Sequence, residues 1–209
     1  MKILSYFLVI LLPPLIILSN FYYLFFNSAN WQKLFDKSGV YQSFSKEEAD
    51  KQASDIINFY ENKNDLDTNF YSPQAILHLL DVKRVLFLTT IYYLILLLSF
   101  LSVSAVLVLK KQAKLLLESC LKAGLVSIIF VIGLGVGLSN AFDWFFIVFH
   151  KTVFTNDLWM FPAGDNLIKL FPQEFFVSFA NRLALQIVLS SVLISIIAYI
   201  VRKKLYDSA

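Results

Sequence analysis

Four long apolar runs constrain the fold of this 209-residue chain more than any other feature. A helix that crosses a bilayer needs about 20 mostly apolar residues, and each run reaches about that length. Hydrophobic residues make up 58% of the chain and charged residues 16%, whereas an ordinary soluble domain is about a quarter charged. We therefore predict an all-α integral membrane protein with a single domain. Its four spans are predicted over residues 3–26, 85–109, 123–149 and 183–201.

The first run has two features of its own. It is longer than the apolar part of a signal peptide, which covers about 7–15 residues, so we expect a retained helix. Pro13 and Pro14 lie in its middle and predict a kink there, because proline removes a backbone donor and clashes with the preceding turn.

Lysine and arginine residues indicate the orientation of the spans. The predicted inner loop, residues 110–122, carries four lysines against one glutamate, and the predicted inner tail, 202–209, begins Arg-Lys-Lys. The positive-inside rule assigns both segments to the cytoplasm. Both termini are then cytoplasmic, and residues 27–84 and 150–182 form two outer loops.

Capping patterns predict helices inside both outer loops. Ser45 and Glu48 have the spacing of a capping box, which indicates a surface helix that continues to Tyr60. Ser72 followed by proline predicts the start of a helix that runs into the second span. The aromatic second loop is typical of a segment in the lipid headgroup zone, where Asp165 would cap a short helix over residues 166–171.

The chain has only two histidines, and this topology places both on the outer side of the membrane. His78 precedes the second span and His150 ends the third, so both would reach one interfacial site if these spans pack together. Asp81 shares a helix face with His78. Asp143 lies seven residues before His150, within about 20° of it on an ideal helix. A carboxylate inside a span is costly and usually faces a bundle interior or a wet cavity.

Simpler structural interpretations of the same residues stay open. A histidine at an interface is often structural, and a phenylalanine-rich stretch such as that around His150 often faces lipid. Lys83 is then an interface anchor and Asp165 only a helix cap. An ion pair between Arg182, at the head of the fourth span, and Asp143 is a further prediction.

Composition and motifs exclude several classes of function. A net charge of +3 gives no support for nucleic-acid binding, and the single cysteine, Cys120, cannot form a cysteine-based zinc site. The sequence lacks the motifs of serine hydrolases, zinc peptidases and P-loop enzymes. We predict neither a metal nor a cofactor. Two alternatives stay open: a haem-binding electron carrier with His78 and His150 as axial ligands, and a non-catalytic membrane assembly protein.

Two blocks of sequence resemble a known family, the lipoprotein intramolecular transacylases, Lit. They are HLLDVK, from His78 to Lys83, and FHKTVFTNDLWMFPAGDNLIKLFPQEFF, from Phe149 to Phe176. The spacings His-x-x-Asp-Val-Lys and Phe-His-x3-Phe-x4-Trp-x2-Pro-x2-Asp-x-Leu-Ile carry the resemblance, together with the four-span layout. It covers nearly the whole chain except the first outer loop at about residues 30–70.

The resemblance implies a reaction on a bacterial lipoprotein. The acyl group on the sn-2 oxygen of its diacylglyceryl-cysteine would move to the α-amino group of the same cysteine, at the extracellular face of the cytoplasmic membrane. The partners would be this lipoprotein and membrane lipid, while the oligomeric state stays open. His78 and His150 correspond to the two family histidines.

On this interpretation, His150 is the general base and His78 an acid or a donor to the oxyanion, with the two roles interchangeable. Asp81 would orient His78, and either Asp143 or Asp165 would orient His150. The complete set of predicted site residues has three parts: catalytic His78 and His150; supporting Asp81, Asp143, Asp165, Lys83 and Arg182; and substrate-binding Phe146, Phe149, Phe154 and Trp159.

Overall fold

The structure, a computed structural model, describes residues 1–207, without the side chains of residues 136, 138–140, 206 and 207. The last two residues of the predicted inner tail therefore lie outside the described part. Within this range the chain forms seven α-helices and one short 3₁₀ helix, Val40–Gln42. The α-helices are α1 (Lys2–Phe25), α2 (Ser28–Lys37), α3 (Lys46–Tyr60), α4 (Pro73–Leu109), α5 (Ala113–Val153), α6 (Asn166–Leu170) and α7 (Gln173–Asp207).

Four of these helices contain stretches long and apolar enough to cross a membrane. The stretches are Lys2–Phe25, Pro73–Leu109, Ala113–Gly135 and Gln173–Leu205. The prediction of an all-α integral membrane protein is thereby confirmed. The finer limits of the spans and loops, and the treatment of the chain as a single domain, stay predictions.

The residues group into two compact units. The first comprises Met1–Tyr22, Thr90–Val136 and Arg182–Ala209, and the second comprises Tyr23–Thr89 and Gly137–Asn181. Helices α1, α4, α5 and α7 each contribute residues to both units.

The first unit is a bundle of apolar helix segments with a few polar contacts inside. Its core contains buried apolar residues of all four long helices. Ser119 of α5 donates a hydrogen bond to the Ser5 carbonyl oxygen of α1 at 3.0 Å, and Ser190 of α7 donates to Asn20 of α1 at 3.0 Å. The buried core residues are Leu11, Leu12, Leu15, Ile16, Leu96, Ala123, Val131 and Ile187.

Gly124 lets α5 pack closely against α7. A Cβ atom at this position would clash with the Ser195 hydroxyl and lie 3.1 Å from the Ser191 carbonyl oxygen. The hydroxyl can rotate away, but a larger side chain would also have to displace the α7 backbone. Gly133, on the same helix, would meet no atom within 4 Å.

We predict that Gly124→Leu lowers the thermal unfolding midpoint of the protein in detergent, since overpacking a tight contact costs about 1–3 kcal/mol. The matched control, Gly133→Leu, should leave the midpoint unchanged or raise it, because glycine is a poor helix former. Equal midpoints for the two variants would contradict close packing at Gly124.

The second unit has an aromatic core beneath short helices. Trp31 and Phe35 of α2, Ile56 of α3 and Phe175 of α7 are among its buried members. The predicted helix after Ser45 is confirmed as α3, because the Ser45 hydroxyl accepts a hydrogen bond from the Glu48 amide at 3.1 Å. Helix α2, which Asn27 caps, was not predicted.

Two further predicted caps are present in the second unit. The Ser72 hydroxyl accepts from the Ala75 amide at 3.2 Å, and α4 begins at the next residue, as predicted. Asp165 accepts from the Leu167 amide at 2.8 Å and caps α6. These caps fix where α4 and α6 begin.

The long helices differ from the predicted spans in regularity. Helix α1 continues as one helix through Pro13 and Pro14, and the predicted kink there stays a prediction. The helix with non-helical backbone angles inside it is α5, at Ala141, where φ is −145° and ψ is 42°. The last turns of α5, which carry His150, therefore follow a break that the apolar pattern did not indicate.

Candidate active site

The two histidines lie side by side in the second unit. Their ring centroids are 6.2 Å apart and the ring planes are inclined by 31°. His78 is 8% exposed and His150 is 9% exposed, so both rings are largely removed from solvent. The predicted pairing of these two side chains in one site is therefore present in the structure.

Local helix geometry explains how His78 reaches this position. It lies in the first turns of α4, between Ala75 and Leu79. Both of these residues are buried in the aromatic core. Residues three apart on a helix share a face, so the packing of Ala75 also turns His78 inward. His150 lies in the last turn of α5, which ends at Val153.

A backbone hydrogen bond fixes the tautomer of neutral His150. Its Nδ1 atom lies 2.7 Å from the carbonyl oxygen of Phe146, one helical turn earlier. A carbonyl oxygen can only accept, so Nδ1 carries the hydrogen and donates it. In the neutral ring, Nε2 then carries the lone pair, which is the arrangement that a general base requires.

Burial keeps His150 neutral at ordinary pH. Removal of the ring from water lowers its pKa below the usual value, because the charged form loses more hydration than the neutral form. The hydrogen bond to the Phe146 carbonyl favours the charged ring and raises the pKa, but burial has the larger effect.

His78 has the complementary character. Its Nδ1 atom is buried and has no hydrogen-bond partner among the described residues. A buried N–H group without an acceptor is rarer in proteins than an under-satisfied acceptor. We therefore assign the lone pair to Nδ1 and the hydrogen to Nε2, which makes Nε2–H of His78 a donor.

Aromatic rings enclose both histidines. Phe154 lies 5.1 Å from His78 and 5.7 Å from His150, and Trp159 lies 4.9 Å from His150. Phe146 is at 4.0 Å from His150. The fourth predicted substrate-binding residue, Phe149, lies 5.3 Å from His150, so all four border the pair. Phe149 differs from the other three in being 54% exposed.

Residues 1–176 match the family model described as lipoprotein intramolecular transacylase Lit. The chain belongs to the Lit family. It is therefore an acyltransferase, as the sequence analysis predicted. The electron-carrier and non-catalytic alternatives do not fit a transacylase family. A comparison with curated proteins gave no match.

Solved structures of Lit from Bacillus cereus share the fold. One in meso structure is 22% identical to this chain, has a TM-score of 0.84, and matches 97% of this chain with 96% of its own. Another structure, in which one histidine is replaced by arginine, is 21% identical and has a TM-score of 0.82. This match covers 100% of this chain and 94% of that chain. A third structure, in which the same histidine is replaced by alanine, is 22% identical and has a TM-score of 0.80. This match covers 97% of this chain and 94% of that chain.

Two of the three carboxylates predicted to orient the histidines accept hydrogen bonds from other residues in this Lit family member. Asp81 accepts a hydrogen bond from the Asn156 amide at 2.9 Å. Asp165 accepts from the Leu167 amide with one oxygen and from the Ser72 hydroxyl, at 2.7 Å, with the other. Both carboxylates thus hold the loop after α5 in place. Their predicted roles beside the histidines stay predictions.

The other predicted supporting residues have separate surroundings. Asp143 is exposed. The Lys83 ammonium lies 4.0 Å from the centroid of the Phe59 ring, a cation–π contact. Arg182 belongs to the first unit and Asp143 to the second, so their predicted ion pair stays a prediction.

Sequence reasoning missed three residues around the Lit histidine pair. Phe161 lies 5.6 Å from the His78 ring. Gln74 and Asn156 donate the hydrogen bonds that join α4 to the loop after α5. The only sequence signal is that Asn156 and Phe161 lie inside the second block that resembles the family, and that Gln74 lies four residues before the first.

We predict that neutral His150 titrates below pH 6.5, its ordinary midpoint. The group is then still mostly uncharged at pH 6.5 and protonates only on further acidification. Because the chain has two histidines, the ¹⁵N-histidine NMR spectrum of protein purified through a histidine-free tag should show two rings, which His78→Asn assigns. In the neutral form, Nδ1 of His150 should be the protonated nitrogen. A midpoint at or above 6.5, or protonation at Nε2, would contradict this assignment.

Proposed function

We propose that the protein transfers the acyl chain on the sn-2 oxygen of a lipoprotein's diacylglyceryl-cysteine to the α-amino group of that same cysteine. The observation that carries the proposal is the buried histidine pair, whose ring centroids are 6.2 Å apart. With the tautomers assigned above, one ring offers a lone pair and the other an N–H donor. Membership in a transacylase family supports the general reaction.

His150 acts as the general base. An α-amino group has an ordinary pKa of about 7.7–8.0, and its nitrogen must lose a proton as it forms the new amide bond. Nε2 of His150 takes this proton while the nitrogen attacks the sn-2 ester carbonyl. The hydrogen bond from Nδ1 to the Phe146 carbonyl stabilises the imidazolium that forms.

His78 stabilises the charge that develops on the ester oxygen. The tetrahedral intermediate carries an oxyanion, to which Nε2–H of His78 donates a hydrogen bond. The intermediate then breaks its bond to the sn-2 oxygen, and the His150 imidazolium returns the proton to that oxygen. One amide and one free hydroxyl form, and both histidines return to their starting state without water.

The intramolecular nature of the reaction suits an apolar site. Amine and ester belong to one substrate molecule, so the protein mainly has to hold them together, an effect worth about 7–11 kcal/mol for well-oriented groups. Phe146, Phe154 and Trp159 surround the pair and offer an apolar seat for acyl chains. The exclusion of water also protects the ester from hydrolysis.

The charge pattern supports a location for this chemistry. Lysine-rich residues 110–122 and the basic tail after the fourth span favour cytoplasmic termini. The histidines then lie at the extracellular face, where the diacylglyceryl anchor of an exported lipoprotein places its ester groups.

An isotope experiment with purified protein in detergent tests the proposed reaction. The substrate is a synthetic diacylglyceryl-cysteine peptide with a labelled sn-2 chain, mixed with an unlabelled peptide of different mass. Tandem mass spectrometry should find the label only on the amide of its own peptide, with a free glycerol hydroxyl. The proposal would be overturned if the label stayed in the ester or appeared on the second peptide. It would also be overturned if a substrate labelled in the sn-1 chain instead gave a labelled amide.

A further inference from the structure

One side chain of α4 holds the loop that follows α5. The amide nitrogen of Gln74 donates to the carbonyl oxygen of Leu158 at 3.1 Å and to that of Met160 at 2.9 Å. A glutamine amide has two N–H donors, so one is available for each carbonyl. Gln74 therefore fixes the backbone on both sides of Trp159 to α4. Asn156 adds a second link on one side, because it donates to Asp81 of α4 and accepts from the Leu158 amide.

Trp159 is the residue that this double hydrogen bond positions. Its ring lies 4.9 Å from the His150 ring, with planes inclined by 32°, and the residue is only 8% exposed. Backbone displacement at residue 158 or 160 would move the indole away from His150. No other residue type of similar length offers two neutral donors from one atom, which explains why glutamine suits the position.

We propose that Gln74 is a positioning residue for the transfer reaction, which acts by holding Trp159 against the ring of His150. This inference rests on the proposed function in one respect, the role of His150 as base. Trp159 limits the rotation and the hydration of that ring, so the orientation of Nε2 toward the substrate amine depends on the two hydrogen bonds from Gln74.

Gln74 also lies four residues before His78 on α4, so it has a second route by which it would affect the site. A double-mutant cycle separates the two routes, because two residues that act through one contact are not additive. The cycle consists of Gln74→Leu, Trp159→Leu and the combined variant. Gln173→Leu, at an exposed position at the start of α7, is the matched control.

The readout of the cycle is the titration midpoint of His150 in the ¹⁵N-histidine spectrum, with His78, the other titratable ring facing it, followed in the same spectra. Loss of the indole cover hydrates His150, so Gln74→Leu and Trp159→Leu should each raise the midpoint toward 6.5. The combined variant should match Trp159→Leu alone, and Gln173→Leu should match wild type. An unchanged midpoint in Gln74→Leu, or additive shifts, would overturn the inference.

Activity measurements identify the chemistry that position 74 requires. Gln74→Leu removes both donors, so its kcat should fall about 10²-fold. Gln74→Glu is nearly isosteric with glutamine but only accepts hydrogen bonds when ionised, so its kcat should fall by the same factor. Gln74→Lys restores donors and should recover part of kcat. A wild-type kcat in Gln74→Glu would show that side-chain volume alone matters and would overturn the inference. Since the titration needs no turnover, its outcome is independent of whether the proposed acyl transfer is correct.

Discussion

Replacement of His150 by alanine will lower the rate of N-acyl product formation by about 10²–10⁴-fold, the usual contribution of a general base. The amine must lose a proton as it attacks, and Nε2 of His150 is the lone pair that the hydrogen bond to Phe146 leaves available. His150→Gln should be equally impaired, because an amide accepts hydrogen bonds but does not take up a proton at neutral pH. The measurement is the single-turnover rate with the labelled lipopeptide.

Val148→Ala is the matched control for His150→Ala, since it truncates a partly exposed side chain two residues away on α5. Its rate should equal that of wild type. Thermal unfolding midpoints of both variants show whether the fold is intact. A folded His150→Ala protein that forms product at the wild-type rate would remove His150 from the mechanism.

Replacement of His78 by alanine will lower the rate by about 10²–10³-fold, the cost of losing one oxyanion donor. His78→Gln should retain more activity than His78→Ala, because a glutamine amide still presents N–H groups to the oxyanion. This ranking differs from that at position 150, where glutamine and alanine are equally poor. The four variants together therefore assign a role to each ring.

Exchanged roles would give the opposite pattern. Glutamine would then rescue position 150 but not position 78, and the tautomers inferred from the Phe146 hydrogen bond and the unpartnered Nδ1 of His78 would be wrong. Leu77→Ala, at an exposed position beside His78, serves as the control for this pair of variants and should leave the rate unchanged.

Local interactions explain which parts of the structure were predictable. The caps at Ser45, Ser72 and Asp165 depend on residues two or three positions away, and all three are present. Helix α2, of ten residues, was not predicted, although Asn27 caps it through the Ala29 amide only two residues away. The break at Ala141 has no signature in an apolar run.

Partners distant in sequence explain which parts were not predictable. Asp81 and Asp165 are predicted to orient histidines because they share a helix face or a loop with them, and that role stays a prediction. The hydrogen bonds from Asn156 to Asp81 and from Ser72 to Asp165 were not predicted. A carboxylate takes whichever donor the tertiary fold brings closest, and sequence spacing reveals only donors on the same helix. Gln74, whose two acceptors lie 84 and 86 residues away, was missed for the same reason.

The sequence by itself determined that the chain is an all-helical membrane protein and that its two histidines are the residues to examine, because apolar length and residue chemistry are local properties. Only the tertiary structure decided that the rings lie 6.2 Å apart and that they differ in character. The hydrogen bond to Phe146 and the burial of Nδ1 of His78 set that difference. Both depend on how α4, α5 and the loop after α5 pack within the second unit, where water is excluded and each ring nitrogen has only the partners that the fold provides.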